Sequence, residues 1–130
     1  MPDKTVLIGE DNPAEREALA AVLESEGYGV VSAANGKEAL ERLRGTPTPD
    51  AMLLDMMMSD LDGWQLLRLL PHHPELAKIP IIIVTGLHIA TDEWARSLRA
   101  FGLVHKPIDT RYLLQQLRDA LSAASTAPPE

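Results

Sequence analysis

AMLLDMMMSDLDGW, residues 51–64, is the stretch on which the reading of this chain turns. Its short apolar run, Met52 to Leu54, shows no polar alternation and ends on one acid, Asp55, followed by three methionines. A run of that kind suggests a strand buried on both faces of a parallel sheet. Val6 to Ile8 and Ile81 to Val84 repeat the pattern, and Val30–Val31 and Leu103–Val104 are shorter versions of it.

Helical patterns lie between these runs. In the first, Ala18, Leu19, Val22 and Leu23 share one face while Glu15, Arg16 and Glu24 point away. In the last, Leu113, Leu114, Leu117 and Leu121 form a stripe. Asn12, with Pro13 behind it and Glu15 three on, has the form of an N-cap with a capping-box partner, as does Asn35 with Glu38. Thr91 and Asp109 are candidate caps for the last two helices.

The order is β-α five times over, which implies an α/β domain: a doubly wound five-stranded parallel sheet with five helices and right-handed crossovers. GTPTPD reads as a loop, PHHPELAKIP as a longer loop or a loop with a short turn, and SAASTAPPE as a frayed end or the start of a linker. No internal repeat is present at a period of roughly 20 to 50 residues.

At 130 residues and 45% hydrophobic, the chain has the material for one domain and one core. The absence of cysteine excludes a disulfide scaffold, a thiol nucleophile and sulfur-ligated zinc, and suits a reducing compartment. No segment approaches a membrane span or a signal peptide, so a soluble, cytoplasmic protein is expected. A net charge of −7 argues against nucleic acid or an anionic membrane as partner and toward proteins or cations.

In open α/β sheets ligands bind beyond the carboxyl ends of the strands, where the strand order reverses. Strand one delivers Glu10 and Asp11 there, strand three Asp55, strand four Thr85 and Gly86, and strand five Lys106 and Pro107. With the flavodoxin-like order 2-1-3-4-5, strands one and three are neighbours about 4.8 Å apart, which brings the three acids together. Two unit charges about 4 Å apart cost on the order of 4 kcal/mol at an effective dielectric of about 20, so a cation is required. Lys106 supplies one charge, and an oxygen-loving ion such as Mg²⁺ supplies the rest. GEDNP holds acids where a nucleotide binder would place phosphate-cradling glycines.

These residues, in this order, resemble the receiver domains of two-component response regulators. EDNP, LLDMMMSDLDGW, IIIVTG and HKP carry the resemblance, which runs from Thr5 to Ala124 and leaves 125–130 as a flexible tail to a domain spanning 1–124. The resemblance implies that Asp55 is a phosphoacceptor that takes a phosphoryl group from a sensor histidine kinase or phosphotransfer protein. It implies Mg²⁺ held by Glu10, Asp11, Asp55 and the backbone carbonyl of Met57. It implies Thr85, the Gly86 N–H and Lys106 on the phosphoryl oxygens, and a cis bond before Pro107. Such a module is not an enzyme beyond assisting its own phosphorylation and slow dephosphorylation. Its output would be docking of a downstream protein on the face of the fourth helix, fifth strand and fifth helix.

Three features depart from the family pattern. Leu103 stands where receivers carry a switch aromatic, three residues before the lysine. Ser59 replaces a usual proline, and the connection into strand five is short. Met57 and Leu87 are apolar at positions that influence acyl-phosphate lifetime, so hydrolysis is not expected to be fast. Asp60, Asp62 and Gly63 fail as a calcium loop, since Met58 and Leu69 would fall at ligand positions. The methionines read as packing, His72 and His73 as surface residues, and His105 as facing away from Lys106. Trp64 lies near the rim or packs on the third helix, and Trp94 reads as packing or interface. Two alternatives remain: a degenerate, phosphorylation-independent receiver, and the receiver piece of a larger regulator or hybrid kinase.

Overall fold

A computed structural model describes residues 4–45, 47–58 and 63–126. Five strands, β1 (Thr5–Gly9), β2 (Gly29–Ala33), β3 (Ala51–Asp55), β4 (Ile81–Thr85) and β5 (Gly102–His105), alternate with helices. The helices are α1 (Pro13–Ser25), α2 (Gly36–Leu43), α3 (Gly63–Leu69), α4 (Pro74–Ala77), α5 (Asp92–Ser97) and α6 (Thr110–Thr126). All strands are parallel, in the order β2-β1-β3-β4-β5. The doubly wound architecture expected from the sequence is therefore present, with one addition. PHHPELAKIP folds as a 3-10 turn, Leu70–His72, followed by the single-turn α4, too short to show a helical period. The fourth and fifth helices anticipated from the sequence are α5 and α6.

The unalternating apolar runs are explained by a core on each side of the sheet. Leu7, Met52, Leu54, Ile83 and Leu103 face a layer that includes Leu43, Leu66 and Ala95. Val6, Ile8, Leu53, Ile82, Val84 and Val104 face Leu19, Leu23, Leu113 and Leu117 of α1 and α6. Each such leucine or isoleucine contributes roughly 1.5–3 kcal/mol by leaving water, which is why strands with no polar face are stable here.

The helix starts hold the strand ends in register. Asn12 Oδ1 accepts from the Glu15 N–H at 3.0 Å, Asn35 Oδ1 from Glu38 at 2.9 Å, and Thr91 Oγ1 from Trp94 at 3.1 Å. Asp109 Oδ1 accepts from the N–H groups of Arg111 and Tyr112 ahead of α6. Glu38 reaches past its cap and accepts from the N–H of Ala34, the residue before it, at 3.1 Å. Glu15 does not answer Asn12, and its carboxylate lies elsewhere. Gly27, at φ +92, lets the chain turn from α1 into β2 where a side chain would strain. Ser59, Asp60 and Asp62, on which the loop-stiffness and calcium-loop readings rested, lie outside the described residues.

Candidate functional site

The carboxyl rim of the sheet carries the chemistry. Parallel pairing sets Gly9 opposite Leu54, so the next residues along are Glu10 and Asp55. Glu10 N–H still bonds Ala33 at 3.0 Å, and Lys106 N–H bonds Thr85 at 2.7 Å, so the backbone continues sheet-like one residue past β1 and β5. Alternation then gives Glu10, Asp55 and Lys106 the same side of the sheet as Ile8, Leu53 and Val104, the side covered by α1 and α6. Thr85 belongs by the same count to the side of Ile81 and Ile83. His105 shares the parity of Leu103, opposite Lys106, and is exposed.

Ligand oxygens of Glu10, Asp11 and Asp55 all lie within 4.8 Å of one another; Glu10 and Asp55 are buried and Asp11 is exposed. Lys106 Nζ donates to Glu10 Oε1 at 2.9 Å, to Asp55 Oδ2 at 3.3 Å and to Glu15 Oε2 at 2.9 Å. Asp55 Oδ1 accepts from Met57 N–H at 3.0 Å, which fixes the carboxylate as the chain leaves β3. Asn12 N–H donates to Glu10 Oε2 at 3.2 Å. Thr85 is buried, and its Oγ1 accepts from Leu87 N–H at 3.1 Å; Gly86, beside it, is exposed. The Lys106–Pro107 bond is cis.

Charge accumulates in this corner. Burial, with Asp55 alongside, raises the Glu10 carboxyl from 4.5 to about 7, against the lowering pull of Lys106. Burial works against the Lys106 ammonium, but its bonds to Glu10 and Glu15 and the field of Asp55 prevail and hold it above the ordinary lysine value. The same ammonium pulls Glu15 below the ordinary carboxylate value. An all-oxygen donor set carrying surplus negative charge fits a hard divalent cation such as Mg²⁺, not a soft metal.

Two contributors were misread from sequence. Glu15 was expected to point away and to complete a capping box, yet it closes onto Lys106. Arg16, also expected to point away, folds back so that its Nη1 donates to the Glu10 carbonyl at 2.9 Å and reaches that of Asp11 at 3.5 Å. The available signal was position: the first turn of α1 lies over the strand end that α1 follows. Leu103 is buried among Ala95, Ala100 and Ile83, consistent with a packing residue rather than a mobile ring. Trp64 meets Trp94 edge to face, with centroids 5.3 Å apart at 69°.

The whole rim lies within residues 6–118, which match the response regulator receiver domain family. Protein PilH of Pseudomonas aeruginosa is 36% identical over 118 residues, covering 90% of this chain and 97% of PilH. The polar-differentiation response regulator DivK of Brucella anthropi is 30% identical over 124 residues, covering 93% and 98% respectively. Among solved structures, the signal receiver domain of a signal transduction histidine kinase from Syntrophus aciditrophicus superposes with a TM-score of 0.83 at 32% identity, over 98% of this chain and 96% of that one. A parallel sheet whose buried strands end in these acids, matched along nearly its whole length, belongs to the response regulator receiver family.

Proposed function

We propose that Asp55 is the phosphoacceptor of this phosphorylation-controlled signalling module. The observation that carries the proposal is the position of Asp55: it ends the central strand β3, is buried, is bonded to Lys106 and clusters with Glu10 and Asp11. A carboxylate oxygen of Asp55 forms the new bond to phosphorus, and the bond from phosphorus to the donor's imidazole nitrogen breaks, leaving an acyl phosphate. The donor is a phosphohistidine on a sensor histidine kinase or phosphotransfer protein.

Glu10, Asp11, Asp55 and the Met57 carbonyl would hold Mg²⁺, whose charge, when bound, offsets that developing on the transferring group. The chain's own residues orient the group. Met57 N–H fixes one Asp55 oxygen, Oδ1, and Lys106 holds the other, Oδ2. Lys106 then accompanies the phosphoryl oxygens, while Thr85 Oγ and the Gly86 N–H receive another. Because phosphoryl transfer has a loose transition state, positioning and electrostatic stabilisation of this kind carry most of the catalysis.

The output face is α5, β5 and α6. Phe101 and Tyr112 are exposed there beside a groove of about 280 Å³ also lined by Arg96, Gln116 and Asp119, a mixed surface suited to a protein target. The proposal places the protein in the cytoplasm; no helix among the described residues is long and apolar enough to cross a membrane. The receiver unit is assigned to residues 1–124, although α6 itself continues to Thr126, past the start expected for a tail.

The test is to incubate the protein with a small phosphodonor, with and without Mg²⁺, and weigh it intact. One phosphoryl should be gained in the presence of the metal and none in Asp55→Asn. No gain under any condition would leave a module that signals by contact alone.

A further inference from the structure

Lys106 has no proton to spare. An ammonium has three protons, and Glu10, Asp55 and Glu15 take one each. A phosphoryl oxygen arriving at Asp55 can be met by Lys106 only if one of these bonds is given up. Glu10 is 2% exposed and lies in the metal cluster, so it cannot exchange its bond to Lys106 for one to bulk water. Asp55 is where the new bond forms. Glu15 is 49% exposed, sits outside the donor set, and borders an open cavity of about 310 Å³ between α1 and α6, so its freed carboxylate passes directly into water. The geometry already leans its way, with Lys106 Nζ at 2.9 Å from Glu15 and 3.3 Å from Asp55.

We propose that Glu15 is a positioning residue that holds Lys106 back from the phosphoryl site, so that release of this ion pair is a step of the phosphorylation reaction. This rests on the reading of Asp55 as phosphoacceptor. Removing the carboxylate leaves the ammonium free to follow the incoming group, so phosphorylation speeds up. Glu15 itself touches neither donor nor phosphorus; its carboxylate meets Lys106 and, beside it, Glu10. The start of α1 does not depend on it, because the Asn12 cap bonds the Glu15 backbone and not its side chain.

The experiment follows the initial rate at which the full chain gains a phosphoryl from acetyl phosphate in saturating Mg²⁺, read by intact mass. In that reaction an Asp55 oxygen bonds to phosphorus, the phosphorus–oxygen bond to the acetyl group breaks, and acetate leaves with the electron pair. Glu15→Gln should react about two- to fivefold faster than wild type, the range that an exposed ion pair supports. Glu17→Gln removes the same charge from the same helix at an exposed position and should leave the rate unchanged. In a Lys106→Met background the Glu15→Gln substitution should give no acceleration, a coupling that neither a general charge effect nor a role in helix stability would produce. Equal acceleration by Glu17→Gln, persistence of the effect without Lys106, or an unchanged or slower rate in Glu15→Gln overturns the proposal. Failure of wild type to gain a phosphoryl, or its gain in Asp55→Asn, overturns instead the assignment of Asp55.

Discussion

Metal binding and protonation compete for Glu10, and the competition has a computable size. In the metal-free protein the Glu10 carboxyl is raised from 4.5 to about 7, chiefly by burial and then by the neighbouring Asp55. A cation can use that carboxylate only after its proton leaves, so Mg²⁺ affinity should climb as pH rises and level off above about 7. For one such proton, the affinity at pH 5.5 should be about 30-fold below its plateau, with about one proton released per ion bound. Calorimetric Mg²⁺ titrations between about pH 5.5 and 8, in buffers of different ionisation enthalpy, measure both quantities. Glu10→Gln should bind more weakly and lose the pH dependence. Lys106→Met should move the midpoint upward, because the lysine bond favours the charged form of Glu10. A wild-type affinity that is flat over this range, or a Glu10→Gln protein with the same slope, would refute the reasoning.

The same carboxyl sets the sign of the pH dependence of stability without metal. A group whose folded value exceeds its unfolded one contributes stability that is fully present below about 4.5 and lost as pH rises through about 7. The span between those values limits the loss to about 3 kcal/mol. Glu15 acts in the opposite sense: its folded value is depressed, so its contribution is present above the ordinary carboxylate value and is lost as the solution is made more acidic. Saturating Mg²⁺ should abolish the loss seen near neutrality.

Further outcomes are expected. Gly63→Ala should cost about 1–3 kcal/mol by denaturant titration, because its Cβ would lie 2.7 Å from Met56 Cα and 3.0 Å from the Asp55 carbonyl oxygen, where backbone must yield. The strain falls one residue from the acceptor, so phosphorylation should slow as well. A phosphoryl mimic such as beryllofluoride should change tryptophan emission. Thr85 is bonded to Leu87, and Leu87, Ile89, Ala90, Trp64 and Trp94 line one cavity of about 170 Å³. The change should shrink in Trp94→Phe, and unaltered emission in wild type would argue against movement of that loop. Leu54→Ala, at a fully buried position of β3, should destabilise by about 2–5 kcal/mol in the same titration.

The fold was legible because Val6–Ile8, Met52–Leu54 and Ile81–Val84 cannot be exposed on either side, and only a sheet covered twice accommodates them. The site was legible for a related reason: once those runs are strands, the polar residue ending each one has no other place than the rim. What escaped was decided by side-chain direction within a single helical turn. Asn12 and Glu15 satisfy the spacing of a capping box, but Lys106, distant in sequence, outbids the cap for the carboxylate. An ion pair of that separation leaves no local pattern. Arg16 is similar, since its stem begins on the helix and its guanidinium ends on the backbone of the preceding loop. The α4 turn was invisible for the opposite reason, because four residues, the first of them Pro74, hold too little sequence to reveal a period.

The sheet also separates two tasks that share one rim. Glu10, Asp55 and Lys106 have the parity of the α1–α6 side, so the groups that bind and transfer charge are gathered over one core layer. Thr85 has the parity of the other layer, where Leu103, Ala95 and the two tryptophans pack. A ring at position 103 could change rotamer in response to Thr85, but Leu103 is 3% exposed, wedged between β4 and α5, and has no polar tip to exchange with solvent. Any displacement that begins at Thr85 therefore has its least obstructed path along the chain itself. It passes through the Leu87 N–H that the Thr85 hydroxyl holds, to Ile89, which is 88% exposed, and to Trp94 of α5 with its ring partner Trp64 of α3. On the proposed reading of Asp55 as phosphoacceptor, Leu103 leaves the loop ahead of α5 as the route from the site to the α5–β5–α6 face, without demanding any change in the acid cluster.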